Sequence, residues 1–183
     1  MTDNSTTSAL PDASITLTKQ DNSGLIWIGT YGFGAYIYDE ANGSIYEKKA
    51  PVNKHYAVND FLLDSNGNMW AATNVGLIRF GCDSCEPKVY TDANGLASSM
   101  VYSLIADGSE NIWMSTNEGI SYFIAETEEF LNFDAKDNVL PGPYLPHSSA
   151  RHNDGTLYFG GMNGVCYCNE ADIYKKLPIP QVR

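Results

Sequence analysis

Asp64-Ser-Asn-Gly-Asn-Met-Trp-Ala-Ala-Thr-Asn-Val-Gly-Leu77 decides the fold, because the chain writes it again on either side. Asp21-Asn-Ser-Gly-Leu-Ile-Trp-Ile-Gly-Thr30 and Asp107-Gly-Ser-Glu-Asn-Ile-Trp-Met-Ser-Thr116 align with its first ten residues without a gap. Trp27, Trp70 and Trp113 therefore recur every 43 residues, and a degenerate fourth copy, His152-Asn-Asp-Gly-Thr-Leu-Tyr-Phe-Gly-Gly161, puts Tyr158 in the tryptophan's place. A glycine follows each copy at Gly34, Gly76, Gly119 and Gly164. Self-similarity at such a period marks a stack of supersecondary units, none of which can bury its own apolar face alone.

Within a copy the pattern reads as strands. Val58-Asn-Asp-Phe-Leu-Leu63 and Val101-Tyr-Ser-Leu-Ile105 are first strands, Met69–Thr73 a second, Gly76–Phe80 a third, and Lys88–Tyr90 and Glu129–Phe133 fourth strands. Apolar 3.6-residue periodicity is never sustained over a helix length, and only Asn169–Lys176 reads as a helical turn. Four strands every 40–45 residues predict an all-β β-propeller of four consecutive four-stranded blades. The blades are expected over 14–54, 55–95, 96–143 and 144–176, after a lead-in 1–13 and before a linker 177–183. A piece of a larger propeller fits better than a small closed ring, and blade edges left open predict self-association.

The repeated residues have structural duties in this reading. Asp21, Asp64 and Asp107 cap the first turn, Gly67 supplies a positive φ, and the tryptophans fill the space between blades. Thr73, Thr116, Gly76, Gly119, Tyr158 and Gly164 complete the set.

Charge bounds the partners. Twenty-two Asp and Glu against eleven Lys and Arg give a net charge of −11, and the basic residues form no stripe. That balance excludes nucleic acid and an anionic membrane surface as partners. The N-terminal stretch has neither the charged start nor the apolar run of a secretion signal, and no run is long enough to cross a membrane as a helix.

The motif Asp-x-x-Gly-Asn-x-Trp-x-x-Thr-x-x-Gly-Leu, as Asp64–Leu77 shows it, resembles the two-component regulator propeller repeat. The likeness runs over about residues 14–176, and Asp154–Val165 resembles the last blade of that family. The resemblance implies the periplasmic sensor region of a hybrid two-component system, with the histidine kinase elsewhere in the full-length protein and the four repeats forming a C-terminal portion of its propeller. It implies an oligosaccharide as ligand. The Asp-x-x-Gly-x-x-Trp run is also similar to the Asp-box of sialidases. A sialidase would need three clustered arginines, and the three here are Arg79, Arg151 and Arg183, the last in the tail.

No catalytic residue, metal site or cofactor is expected. The cysteines fall as Cys82-Asp-Ser-Cys85 and Cys166-Tyr-Cys168, better suited to a Cys82–Cys85 bridge and two isolated thiols than to a zinc cluster. Loops between second and third strands, and between blades, gather on one face of a propeller. There the sequence places candidate ligand contacts Tyr31, Phe33, His55, Tyr56, Asn74, Asn117, Glu118, Tyr144, His147 and Asn163. Aromatic faces beside amides and carboxylates suit sugars, which present C–H faces and hydroxyls together. Two other functions compete with sensing: a scaffold or dimerisation segment without its own ligand, and a propeller-type glycan-active enzyme.

Overall fold

The computed structural model describes residues 10–52, 55–81 and 85–171. Fifteen strands form four antiparallel sheets, each built from consecutive strands. The first holds β1 (Ile15–Gln20), β2 (Ile26–Thr30), β3 (Ala35–Asp39) and β4 (Ser44–Lys48). The second holds β5 (Val58–Leu63), β6 (Met69–Thr73), β7 (Gly76–Phe80) and β8 (Lys88–Tyr90). The third holds β9 (Val101–Ala106), β10 (Ile112–Thr116), β11 (Gly119–Ile124) and β12 (Glu129–Phe133). The last holds β13 (Tyr144–Arg151), β14 (Thr156–Gly161) and β15 (Gly164–Asn169), so among the described residues it has three strands where four were expected. The helical turn read at Asn169–Lys176 lies mostly outside the described residues.

The sheets stack face to face as blades. First strands pack in the order β1, β5, β9, β13, while β13 makes no comparable contact with β1, so the described residues form an open arc. Three apolar cores fill the three junctions. Trp27 and Ile37 meet Met69, Ile78 and Phe80; Trp70 and Leu77 meet Ile112, Met114 and Phe123; Trp113 and Tyr122 meet Leu157 and Phe159. A strand sandwiched between two blades is buried on both faces, and every residue of β6 and β10 is buried. Each tryptophan removes roughly 200 Å² from water, about 5 kcal/mol as an upper bound.

Each repeated residue type has a bond that explains it. The Asp64 carboxylate accepts the amides of Asn66 and Asn68 on one oxygen and the Trp70 indole N–H, at 2.8 Å, on the other. Asp21 repeats this with Ser23, Leu25 and Trp27, the last at 2.9 Å. Burial pushes Asp21 upward, yet the bonds from Ser23, Trp27 and Leu25 outweigh it and hold the carboxyl below its ordinary 3.8. Its contribution to stability is therefore present above pH 3.8 and lost as pH falls through the lower folded value. The threonines close the next turn: Thr30, Thr73 and Thr116 donate to the carbonyls of Gly34, Gly76 and Gly119. Gly76 sits at φ 129°, and a Cβ there would come within 2.3 Å of the Tyr90 carbonyl oxygen.

Blade 3 departs from this scheme twice. Its turn carries Glu110 where blades 1 and 2 have glycine, and Glu110 adopts φ 64° while its carboxylate accepts the Ser65 amide of the neighbouring turn. The second Asp107 oxygen takes the Tyr122 hydroxyl at 2.9 Å, and among the described residues the buried Trp113 indole N–H has no acceptor. Trp70→Phe should therefore destabilise more than Trp113→Phe, by about 1–2 kcal/mol, since only the first loses a bond to a carboxylate. Denaturant unfolding of the two variants checks this, and equal losses would show that the Asp64 bond adds nothing.

First strands are bulged at matching positions. Register slips skip Thr16 in β1, Asn59 in β5 and Tyr102 in β9, again 43 residues apart. A bulge re-aims the extra side chain. Thr16 Oγ1 donates to Val58 O at 2.7 Å and Asn59 Nδ2 to Val101 O at 2.6 Å, each reaching the first strand of the next blade. At the outer edge Glu128 ties β8 to blade 3 by meeting Lys88 and accepting the Tyr90 hydroxyl.

Candidate functional site

The loops after β2, β6, β10 and β14 lie at one end of the blades, with the links between blades. The ten residues expected to meet a ligand there separate into two clusters, two buried side chains, and Asn74 and His147, which stand apart.

On the first blade, Tyr31 and Phe33 are exposed and the Phe33 ring meets exposed His55 edge-on, with centroids 6.2 Å apart. Asn74 is a structural tie: its Oδ1 accepts the Ala57 amide at 2.8 Å, pinning the link into β5.

Tyr56 and Tyr144 are core residues, which corrects their reading as ligand-facing aromatics. Tyr56 is 5% exposed because its ring lies under Gly34, where a Cβ would come within 2.7 Å of it. Burial pushes its phenol up to about 12. Tyr144 is 2% exposed and donates to Leu140 O at 2.6 Å, and burial raises it further.

The second cluster is brought together beside the link from blade 3 to blade 4. Asn117 and Glu118 rim a hollow of about 210 Å³ completed by Asp134, Ala135, Lys136, Leu140, Pro141 and Gly142. Asn163 reaches the same loop from blade 4, its Nδ2 3.5 Å from the carbonyls of Pro141 and Gly142. Two features hold the walls. Gly142 lies so close to Asn117 that a Cβ would fall 2.5 Å from its carbonyl oxygen. A 3-10 turn over Ala135–Asp137 is capped by Asp134, which accepts the Lys136 amide at 2.7 Å, and ends at Asn138 with φ 63°. The hollow thus offers amides, two carboxylates, one ammonium and the apolar surfaces of Leu140 and Pro141.

Asp134 and Lys136 escaped the sequence reading, although a signal existed. Thr91–Gly95 forms the corresponding capped 3-10 turn one 43-residue period earlier.

His147 belongs to neither cluster. The fourth blade's bulge is longer, with the register slipping between Tyr144 and Ser149, and it holds His147 at φ 53°. Its Nδ1 lies 3.1 Å from Asp60 Oδ1 on β5, while the Phe61 and Leu104 amides donate to the same carboxylate at 2.8 and 2.9 Å. Asp60 therefore joins blades 2, 3 and 4. Burial pushes its carboxyl up, against the downward pull of Leu104, His147 and Phe61.

Cys85 is disulfide-bonded; Cys82, with which the sequence reading paired it, lies outside the described residues. Cys166 and Cys168 are free thiols turned into the junction of blades 3 and 4, and burial pushes Cys168 up to about 12. Among the described residues no cluster of three or more His, Cys, Asp or Glu is arranged to hold a metal, and no helix is long and apolar enough to cross a membrane.

Face-packed sheets in an arc, built on one repeated Asp–Trp–Thr–Gly scheme, define a β-propeller. A family model described as "Two component regulator propeller" matches residues 9–32 and 54–75, the Asp–Trp turns of the first two blades. Among solved structures the chain is similar to the extracellular domain of a hybrid two component system from B. thetaiotaomicron, with TM-score 0.82 and 28% identity over 96% of this chain and 24% of that one. Among curated proteins it is similar to Histidine kinase P4 from Formosa agariphila, 23% identical over 84% of this chain and 15% of that protein. Virginiamycin B lyase from Staphylococcus aureus shares the fold alone, at TM-score 0.66 and 18% identity over 96% of this chain and 59% of that one. The chain thus spans at most 24% of the length of the first two relatives.

Proposed function

We propose that this chain is a sensing segment of a hybrid two-component signalling protein, working outside the cytoplasm in the periplasm, and that it takes an oligosaccharide in the hollow between the loop after β10 and the link from blade 3 to blade 4. The likeness to an extracellular domain of such a system supports the cellular setting. The hollow carries the reading of the ligand. Asn117, Glu118, Asp134 and Lys136 offer donors and acceptors at its rim, with Leu140 and Pro141 as apolar ground for a sugar's C–H face. That mixture of a few placed polar groups on an apolar wall is the general chemistry of a small-molecule site. Because the hollow lies between the loop after β10 and the link that leads into blade 4, a ligand bound there would hold that link in place and pass occupancy to the next blade. A kinase elsewhere in the protein would read that change.

Thermal unfolding against a panel of plant and host oligosaccharides tests this. A glycan at about 100 times its Kd should add roughly 2.7 kcal/mol, a shift of several degrees in a chain of this size. Lys136→Ala, on the rim, should abolish the shift. A panel without any shift would reject the ligand reading and leave the scaffold role.

A further inference from the structure

The hollow beside the link from blade 3 to blade 4 is lined wholly by residues between Asn117 and Gly142, and its charged groups can sort ligands. Glu118 comes from the loop after β10, and Asp134 and Lys136 from the capped 3-10 turn. Asp137, whose carboxylate accepts the Asp134 amide at 3.3 Å, adds a further negative charge to that turn. All four side chains belong to exposed residues. Among the described residues none of the four has an ion-pair partner. The Glu118 carboxylate is engaged only by the Asn117 side-chain amide, at 3.4 Å, and Asp134 commits one oxygen to the Lys136 amide. The rim therefore keeps carboxylate oxygens and one ammonium ready for a ligand, with two carboxylates against one ammonium on the lining itself.

We infer that the hollow selects uncharged sugars and turns away uronic and sulfated ones, with Glu118 as the specificity-determining residue. The inference rests on reading this hollow as the glycan site. Hydroxyls fit the rim because each can both donate and accept: one gives its proton to a carboxylate, and its neighbour takes one from Lys136. A sugar carboxylate or sulfate has no proton to give Glu118 or Asp134 and meets their charge instead. One like-charge pair at ~4 Å in water weakens binding about 5-fold. Lys136 stands two residues from Asp134 on the same turn and offsets it, whereas no cation shares the loop of Glu118. A protonated amino sugar would meet Lys136 in its turn. The net −11 of the chain acts in the same sense on acids, but salt screens it beyond about 8–10 Å, so the selection lies with the rim. Size narrows it further. The hollow of about 210 Å³ falls below the roughly 300–1,000 Å³ of drug-sized sites, leaving room for about one sugar ring over Leu140 and Pro141. What is sorted is the charge of a single residue of the glycan.

Titration calorimetry of the 183-residue chain with matched pairs of sugars tests this. The pairs are galacto-oligosaccharide with oligogalacturonide, manno-oligosaccharide with oligomannuronate, and N-acetylated with deacetylated chito-oligosaccharide. The uncharged member of any pair that binds should bind at least about 5-fold more tightly than the charged one. Glu118→Gln keeps an acceptor for hydroxyls and removes the charge, so it should narrow the gap between neutral and acidic members about 5-fold. Raising salt from about 0.02 to 0.5 M should narrow the same gap while the affinity for the neutral sugar holds. An acidic or amino sugar that binds as tightly as its neutral partner would overturn the inference and leave the glycan site standing. So would a gap that ignores both Glu118→Gln and salt. Failure of all six sugars to bind would instead remove the hollow as a glycan site, and the inference with it.

Discussion

Trp70→Ala should cost about 3–5 kcal/mol of unfolding free energy, the range for removing a large aromatic from a close-packed core. Trp70 is 3% exposed and fills the junction of blades 2 and 3. It stacks on Tyr90 at 6.0 Å, packs on Phe123 at 5.3 Å and lies under the Arg79 guanidinium at 5.5 Å. The indole N–H also holds the Asp64 carboxylate that shapes the preceding turn. Truncation therefore opens a cavity and loosens a turn at once. Chemical denaturation followed by far-UV and near-UV circular dichroism measures the loss; a cost below about 1 kcal/mol would mean that the neighbouring blade collapses into the space, contrary to the packing described.

Asp60→Ala should cost about 2–4 kcal/mol, through a different mechanism. Removing the carboxylate leaves the amides of Phe61 and Leu104 without their acceptor in residues 3% and 6% exposed, and an unmatched buried donor costs about 1–3 kcal/mol. Charge adds a pH signature. Burial places the folded carboxyl above its ordinary 3.8, so its favourable contribution is complete below pH 3.8 and is lost as pH rises through the folded value. Asp60→Asn keeps an acceptor and removes the titration. The stability of the wild type relative to Asp60→Asn should therefore decline as pH rises from below 3.8, in urea melts recorded across that window. A flat difference would show that the carboxylate pays nothing for its burial.

What the sequence reveals of this molecule is what residue type encodes. Asp64, Trp70, Thr73 and Gly76 recur because each role needs that chemistry: a two-oxygen acceptor, a large ring with one donor, a hydroxyl that both donates and accepts, and a backbone without Cβ. The strands between them follow from the same spacing. Thr16 and Asn59 share a bulge and a donor's role with quite different side chains, and Tyr102 shares only the bulge, so their common position is invisible to a reading of residue types. Tyr56 and Tyr144 mislead for a related reason. Tyrosine has an apolar body and a polar tip, and whether it meets solvent depends on a missing Cβ at Gly34 or a carbonyl at Leu140, both set by the tertiary fold. The hollow beside Lys136 lay one period beyond a capped turn already present at Thr91–Gly95 and needed only the repeat to be followed further. Asp60 could not be inferred, since its partner lies 87 residues away and reaches it through an irregular bulge.

That long reach changes how the stack melts. Blades that touch only their neighbours behave as a one-dimensional lattice, whose ends fray independently of its middle. The bond from His147 to Asp60 skips a lattice site, coupling the last blade to the second as well as to the third. Fraying of blade 4 then removes a ligand from a carboxylate on which blades 2 and 3 both depend. The three blades accordingly form one cooperative block, and blade 1, joined to it through the Trp27 junction and the Thr16 bond, is the unit left to open by itself.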